Sequence, residues 1–201
     1  MKTDIITVSS KGNRIGSALE QADKVAAYKE LTRKGTLHLR LLTEEMMGMM
    51  RSITGEKEGW FWIEDQGGEY RLHLQIMARL SSEKRGKLLS AASTGKNESA
   101  KGLMGRLRDF FDWSSDEDMD YFSSPLFLPD MMEHSTTPAL DLEWSMRRYE
   151  SELSFRMQKN DTAVQEAWDE LEKSVVSHVA DDVKVFIRGG TVELVIVKRL
   201  A

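Results

Sequence analysis

Four groupings in this 201-residue chain carry side chains whose types and spacing could do chemistry. Glu44 and Glu45 lie side by side in Leu41-Leu42-Thr43-Glu44-Glu45-Met46-Met47-Gly48-Met49-Met50, where paired carboxylates could move a proton or meet a cation. Gly95-Lys96-Asn97 has the letters that end a phosphate-binding loop. Asp116, Asp118 and Asp120 are spaced like the first ligands of an EF-hand calcium loop. The histidines His38, His73, His134 and His178 offer metal ligation or proton transfer.

Each grouping is incomplete. The P-loop would need an upstream glycine that is missing, and Asn97 replaces the Ser or Thr that holds magnesium. In the calcium-loop spacing, Tyr121 falls at the turn glycine and Phe127 at the bidentate glutamate, so a solvated acidic loop is expected. The histidines lie in separate segments, with no H-E-x-x-H pair and no G-x-S-x-G elbow beside them. The absence of Cys excludes a thiol nucleophile, a thiolate zinc site and a disulfide framework. No complete catalytic set is legible, and neither a catalytic residue nor a metal site is assigned.

The elements that would position these residues are clearer. Asp182 to Arg188 and Thr191 to Arg199 flank Gly189-Gly190, a pair suited to a tight hairpin turn. Pairing across it sets Ile187 opposite Val192, Val185 opposite Leu194 and Val183 opposite Ile196. A second hairpin around Gly67-Gly68 sets Ile63 against Leu72 and Phe61 against Leu74, with Tyr70 and Ile76 on the same face. Its other face carries Trp60, Trp62, Glu64, Arg71, His73 and Gln75, with Glu64 across from Arg71. That face could serve a partner or be covered by the protein's own loops.

Helical spacing is found over Ser17 to Arg33 and over Thr36 to Ile53. The latter carries the stripe Leu39, Leu42, Met46, Met49, Met50 and Ile53, which suits a core or an adaptable groove. Short helices are expected over Ser82 to Ser90 and Ser99 to Phe111, and a longer one from Asp161 to Ala180 capped by Asn160 or Asp161. Residues 139–158 alternate like strand at Leu140, Leu142, Trp144 and Met146 and again at Leu153, Phe155 and Met157, but helix stays open there. Residues 112–138 hold all three prolines and an acidic run. They are expected to form an irregular insertion whose aromatics dock while its carboxylates stay wet. No internal repeat is visible in the sequence.

These readings make an α+β fold: a mainly antiparallel or mixed sheet with helices on one face, in a single domain over residues 1–201. The net charge of −5 argues against general nucleic-acid binding, which needs a cationic face. No apolar run approaches the ~20 residues that span a bilayer, and the N-terminus lacks a signal peptide's apolar region. A cytoplasmic protein with no membrane partner is expected.

In order along the chain, the helix with Glu44 and Glu45, the hairpin around Gly67-Gly68, and the Gly-containing stretch Ser93 to Gly105 resemble the Bergerat-type ATP-binding domain. That domain is shared by histidine kinases, gyrase-like ATPases and anti-sigma-factor kinases. The resemblance covers roughly residues 17–111, with the final hairpin as a possible closing part of the sheet. It implies a two-layer sandwich, a helix glutamate at Glu44 or Glu45, and phosphates near Lys96, Gly102 and Gly105.

The family's next ligand is a magnesium-holding asparagine, and that position falls on Gly48 or Met49. Where the family has an adenine-reading D-x-G-x-G turn, this chain has Ala78-Arg79-Leu80-Ser81-Ser82. The reading is therefore a degenerate, non-catalytic ATPase-like domain of a bacterial regulatory system, working through an unknown protein partner and needing no cofactor. Two alternatives stand beside it. One is a divergent ATPase or anti-sigma-type kinase that binds ATP and magnesium through Glu45, Lys96, Gly102 and Gly105. The other is an α+β protein with no nucleotide history.

Overall fold

The computed structural model describes residues 1–9, 14–54, 58–77, 142–157, 162–188 and 191–200. The helices expected over Ser82 to Ser90 and Ser99 to Phe111, the insertion at 112–138, and the cap at Asn160 or Asp161 all lie outside these residues. Described elements run β1 (Ile6–Ser9), α1 (Arg14–Tyr28), α2 (Arg33–Thr54), β2 (Glu58–Gln66) and β3 (Glu69–Met77). They continue with β4 (Leu142–Ser145), α3 (Met146–Met157), α4 (Thr162–Glu172), α5 (Val175–Val179), β5 (Asp182–Arg188) and β6 (Thr191–Arg199).

The fold is α+β. Its six strands form one sheet in the order β1-β2-β3-β6-β5-β4, and each neighbouring pair is antiparallel. Both hairpins have the register expected from apolar pairing, with Ile63 opposite Leu72 and Ile187 opposite Val192. The first turn has Gly67 at φ 66° and Gly68 at φ 90°, the left-handed pair that matches strand twist. Asp65 Oδ1 accepts the Gly68 N–H at 2.9 Å, closing that turn from its side chain.

The final hairpin joins the first through β3–β6, where Leu72 faces Ile196 and Leu74 faces Leu194. The strand order is a palindrome about this seam. Each half runs strand, helices and hairpin, with two described helices in the first half and three in the second, although the two stretches of sequence are not visibly alike. Phe61, Ile63, Leu72, Leu74, Val183, Val185, Leu194 and Ile196 share one face and join the buried helix residues in a single apolar cluster. Helices therefore cover that face. Among the described residues no helix is long and apolar enough to cross a membrane.

Helix ends differ from the sequence expectation for identifiable reasons. α1 stops at Tyr28, five residues before Arg33, in a Schellman turn. Leu31 N–H bonds Ala26 O at 3.0 Å, Glu30 N–H bonds Ala27 O at 3.2 Å, and Glu30 takes φ 50°. That position usually holds Gly, so Glu30 gave no stop signal. α2 starts at Arg33 rather than Thr36, because Thr32 Oγ1 accepts the Gly35 N–H at 3.1 Å as an N-cap.

The helix expected over Asp161 to Ala180 is two helices. Ser177 Oγ donates to Leu171 O at 2.6 Å and lies 2.8 Å from Ser174 O, using carbonyls exposed at the break. Between 142 and 157 both readings apply in turn: Leu142 to Ser145 is strand, and Met146 onward is helix. Met146, Tyr149 and Leu153 are buried at helical spacing, while Phe155 is 63% exposed. The second alternation of apolar letters therefore marks no strand face.

Candidate functional site

The carboxylate pair sits in the middle of α2, whose apolar stripe anchors it. Leu39, Leu42, Met46, Met49 and Met50 are all buried, and so are Met47 and Thr43, which the sequence stripe omitted. The stripe is core rather than an open groove. Thr43 Oγ donates to Leu39 O at 2.8 Å, so its burial leaves no unmet donor. Burying this broad face turns Glu44 and Gly48 outward together, four residues and about one helical turn apart. Glu45 is half-buried and Met49 is in the core. Lys96, Gly102 and Gly105 lie outside the described residues.

Gly48 is an unusual residue for the middle of a helix, and packing does not demand it. A Cβ there would meet no heavy atom within 4 Å. Glycine in a helix interior costs about 0.5–1 kcal/mol relative to alanine. Gly48→Ala is therefore expected to raise the thermal midpoint by about 1–4 °C, read by differential scanning calorimetry. A fall would show that the glycine is needed structurally.

The second candidate is the sheet face opposite the helices. Trp60 there is 38% exposed, but Trp62 is only 8% exposed. Trp62 stacks on His73, its cross-strand partner, at 4.7 Å between ring centroids and 8° between planes. Lys2 Nζ lies 4.9 Å from the Trp62 ring centroid and 3.1 Å from Glu64 Oε1. Trp62 Nε1 donates to that same oxygen at 3.0 Å. Burial opposes ionisation of Glu64, yet the hydrogen bonds from Trp62 and Lys2 carry its pKa below the usual value.

Glu64 faces Arg71 across the strands as expected, but Arg71 bonds Glu69 on its own strand at 2.7 and 2.9 Å. His73 Nδ1 is 2.8 Å from Glu193, which joins β6 to the cluster. Trp62 is thus covered from within the chain, and Trp60 is the indole left open to solvent. Lys2 had no signal in the sequence: only the pairing of Lys2 with Glu64 brings it to this face. His38 and His178 lie on α2 and α5, apart from His73 on β3, and His134 lies outside the described residues. Among the described residues no group of three or more His, Asp or Glu could hold a metal ion.

The third feature was not anticipated from the sequence. Asp182, at the start of β5, is buried and accepts Ser145 Oγ at 3.1 and 3.2 Å and the Arg147 N–H at 3.2 Å. It thereby caps the first turn of α3 from a different strand. Glu150, one turn further along α3, has its pKa raised by burial and then by the charge of Asp182, with Arg147 offsetting part. Glu150, Ser151, Ser154 and Phe155 of α3 and Trp168 of α4 line an open groove of about 490 Å³. No protein-family model, no curated protein and no solved structure matches this chain.

Proposed function

We propose that the chain is a catalytically degenerate domain of Bergerat type that acts through contacts with another protein in a bacterial regulatory system. One observation carries the reading. The exposed side of α2 pairs Glu44 with Gly48, while Met49 points into the core. The family's magnesium-holding asparagine would stand on that exposed side, one turn after the glutamate. Glycine has no side-chain oxygen to offer there, and magnesium prefers oxygen ligands in strict geometry. The order of helix, hairpin and distant closing hairpin within one sheet is what favours this frame over an unrelated α+β fold.

In the competing reading, a divergent ATPase or anti-sigma-type kinase, Glu45, Lys96, Gly102 and Gly105 would contact ATP. The two readings part on one measurement. Isothermal titration and a thermal-shift assay with millimolar ATP and magnesium are expected to give no saturable heat and no rise in the unfolding midpoint. A ligand present at 100 times its Kd would stabilise the native state by about 2.7 kcal/mol, which such an assay resolves easily. Saturable binding weakened by Lys96→Ala and Gly102→Val would establish the nucleotide reading instead.

A further inference from the structure

We propose that His73 is a proton-operated clasp on the sheet face opposite the helices, tying β2 to β6 across β3 when both of its ring nitrogens carry a proton. This role is independent of whether the chain binds nucleotide. His73 stands on β3, with Trp62 of β2 on one side and Val195 of β6 on the other. Its Nδ1 lies 2.8 Å from Glu193 Oε1, and its Nε2 lies 3.9 Å from Glu64 Oε2. Nε2 is buried and has no hydrogen-bond partner among the described residues. The ring lies flat on the Trp62 indole, a stack that opposes turning Nε2 out to water.

Neither neutral form of the ring suits both contacts. A neutral imidazole carries one N–H and one lone pair. With the proton on Nδ1, the Nε2 lone pair is buried and faces a carboxylate. With the proton on Nε2, the Nδ1 lone pair stands 2.8 Å from the Glu193 carboxylate. Only the doubly protonated ring presents an N–H to each carboxylate, and it sets its charge against the indole face.

The charges around the ring come from four elements. Glu64 reaches it from β2 and Glu193 from β6. Lys2, on the N-terminal segment, is 3.1 Å from the other oxygen of Glu64. Arg71, two residues along β3, is held by Glu69 at 2.7 Å. Lys184 of β5 stands beyond Val195 in the same row and lies 3.8 Å from Glu143. Burial opposes ionisation of Glu64, but hydrogen bonds from Trp62 and Lys2 keep its pKa below the usual value. Glu64 is therefore still charged when an imidazole takes its second proton. Histidine changes charge between about pH 5 and pH 8. The folded chain holds the added proton between two carboxylates, and the unfolded chain does not. By linkage, the stability this proton contributes is full at the acid end of that window and is lost as pH rises through it.

Chemical denaturation at about pH 5.5 and about pH 8 compares the wild type with His73→Gln, which keeps one donor and takes no proton. The ratio of their unfolding constants is expected to shift about three- to tenfold in favour of the wild type at the lower pH, the scale of one charge-assisted contact. The ratio cancels His38, His134 and His178, which both chains share. Glu64→Gln and Glu193→Gln should each remove part of that shift. Nitrogen NMR of the wild-type ring should show both nitrogens protonated at the lower pH, and Nε2 without its proton at the higher. A ratio that stays flat with pH overturns the proposal, and so does a ring that gives up its proton at Nδ1 instead of Nε2. If His73→Gln does not fold, the NMR titration of the wild type decides the matter alone.

Discussion

Replacing Phe61 by Ala is expected to destabilise the protein by about 3–5 kcal/mol, while the same change at neighbouring Trp60 should cost about 1 kcal/mol or less. The contrast follows from the twofold alternation of a strand. Phe61 is fully buried between Ile6 of β1 and Leu74 of β3, on the face that the helices cover. Its deletion leaves a cavity that packed neighbours can fill only in part. Trp60, one residue earlier, points to the opposite face and keeps 38% of its surface in water. Trp62 should fall between the two, because Lys2 and His73 cover it without enclosing it in the helix-side core. Urea denaturation followed by circular dichroism measures all three. Equal losses at Phe61 and Trp60 would mean that the helix layer does not lie where the strand faces place it.

Asp182→Ala should cost about 1–3 kcal/mol, because one carboxylate serves two donors from another part of the chain. The Ser145 hydroxyl and the Arg147 N–H would both lose their acceptor at a buried helix start. Asp182→Asn should cost less, since its amide oxygen can still accept one of the two. The same substitutions remove a negative charge behind Glu150, so its raised pKa should move back toward the ordinary range. A carboxyl with a raised folded pKa favours folding below its unfolded pKa, and that benefit is lost as pH rises through the folded value. At neutral pH Glu150 is therefore a net burden beside Asp182, and the Asn variant recovers part of its hydrogen-bond loss by relieving it. Chemical denaturation at pH 7 and pH 5 reads the order. An Asn variant no more stable than the Ala variant would mean that Asp182 acts chiefly as a charge rather than as an acceptor.

The sequence alone determined the two hairpins, their registers and the α2 stripe. All three depend on local periodicity, and the first hairpin also on Gly67-Gly68, a pair whose backbone freedom selects its turn. It also showed which letters could not complete a P-loop, a calcium loop or a thiol site, because those sites need particular atoms at fixed spacing. Tertiary structure decided what depends on distant partners. Lys2 reaches Trp62 only because an N-terminal residue pairs with Glu64, and Asp182 caps α3 only because β4 and β5 are neighbours.

Helix ends went the same way. Glu30 ends α1 in a conformation normally signalled by Gly, and Ser177 stabilises a break within an apolar helical pattern. Glu44 and Glu45 could not be told apart by type. The burial of Met46, Met47, Met49 and Met50 decided that Glu44 and Gly48 face outward together, because a helix that buries more than half its circumference leaves one narrow exposed strip.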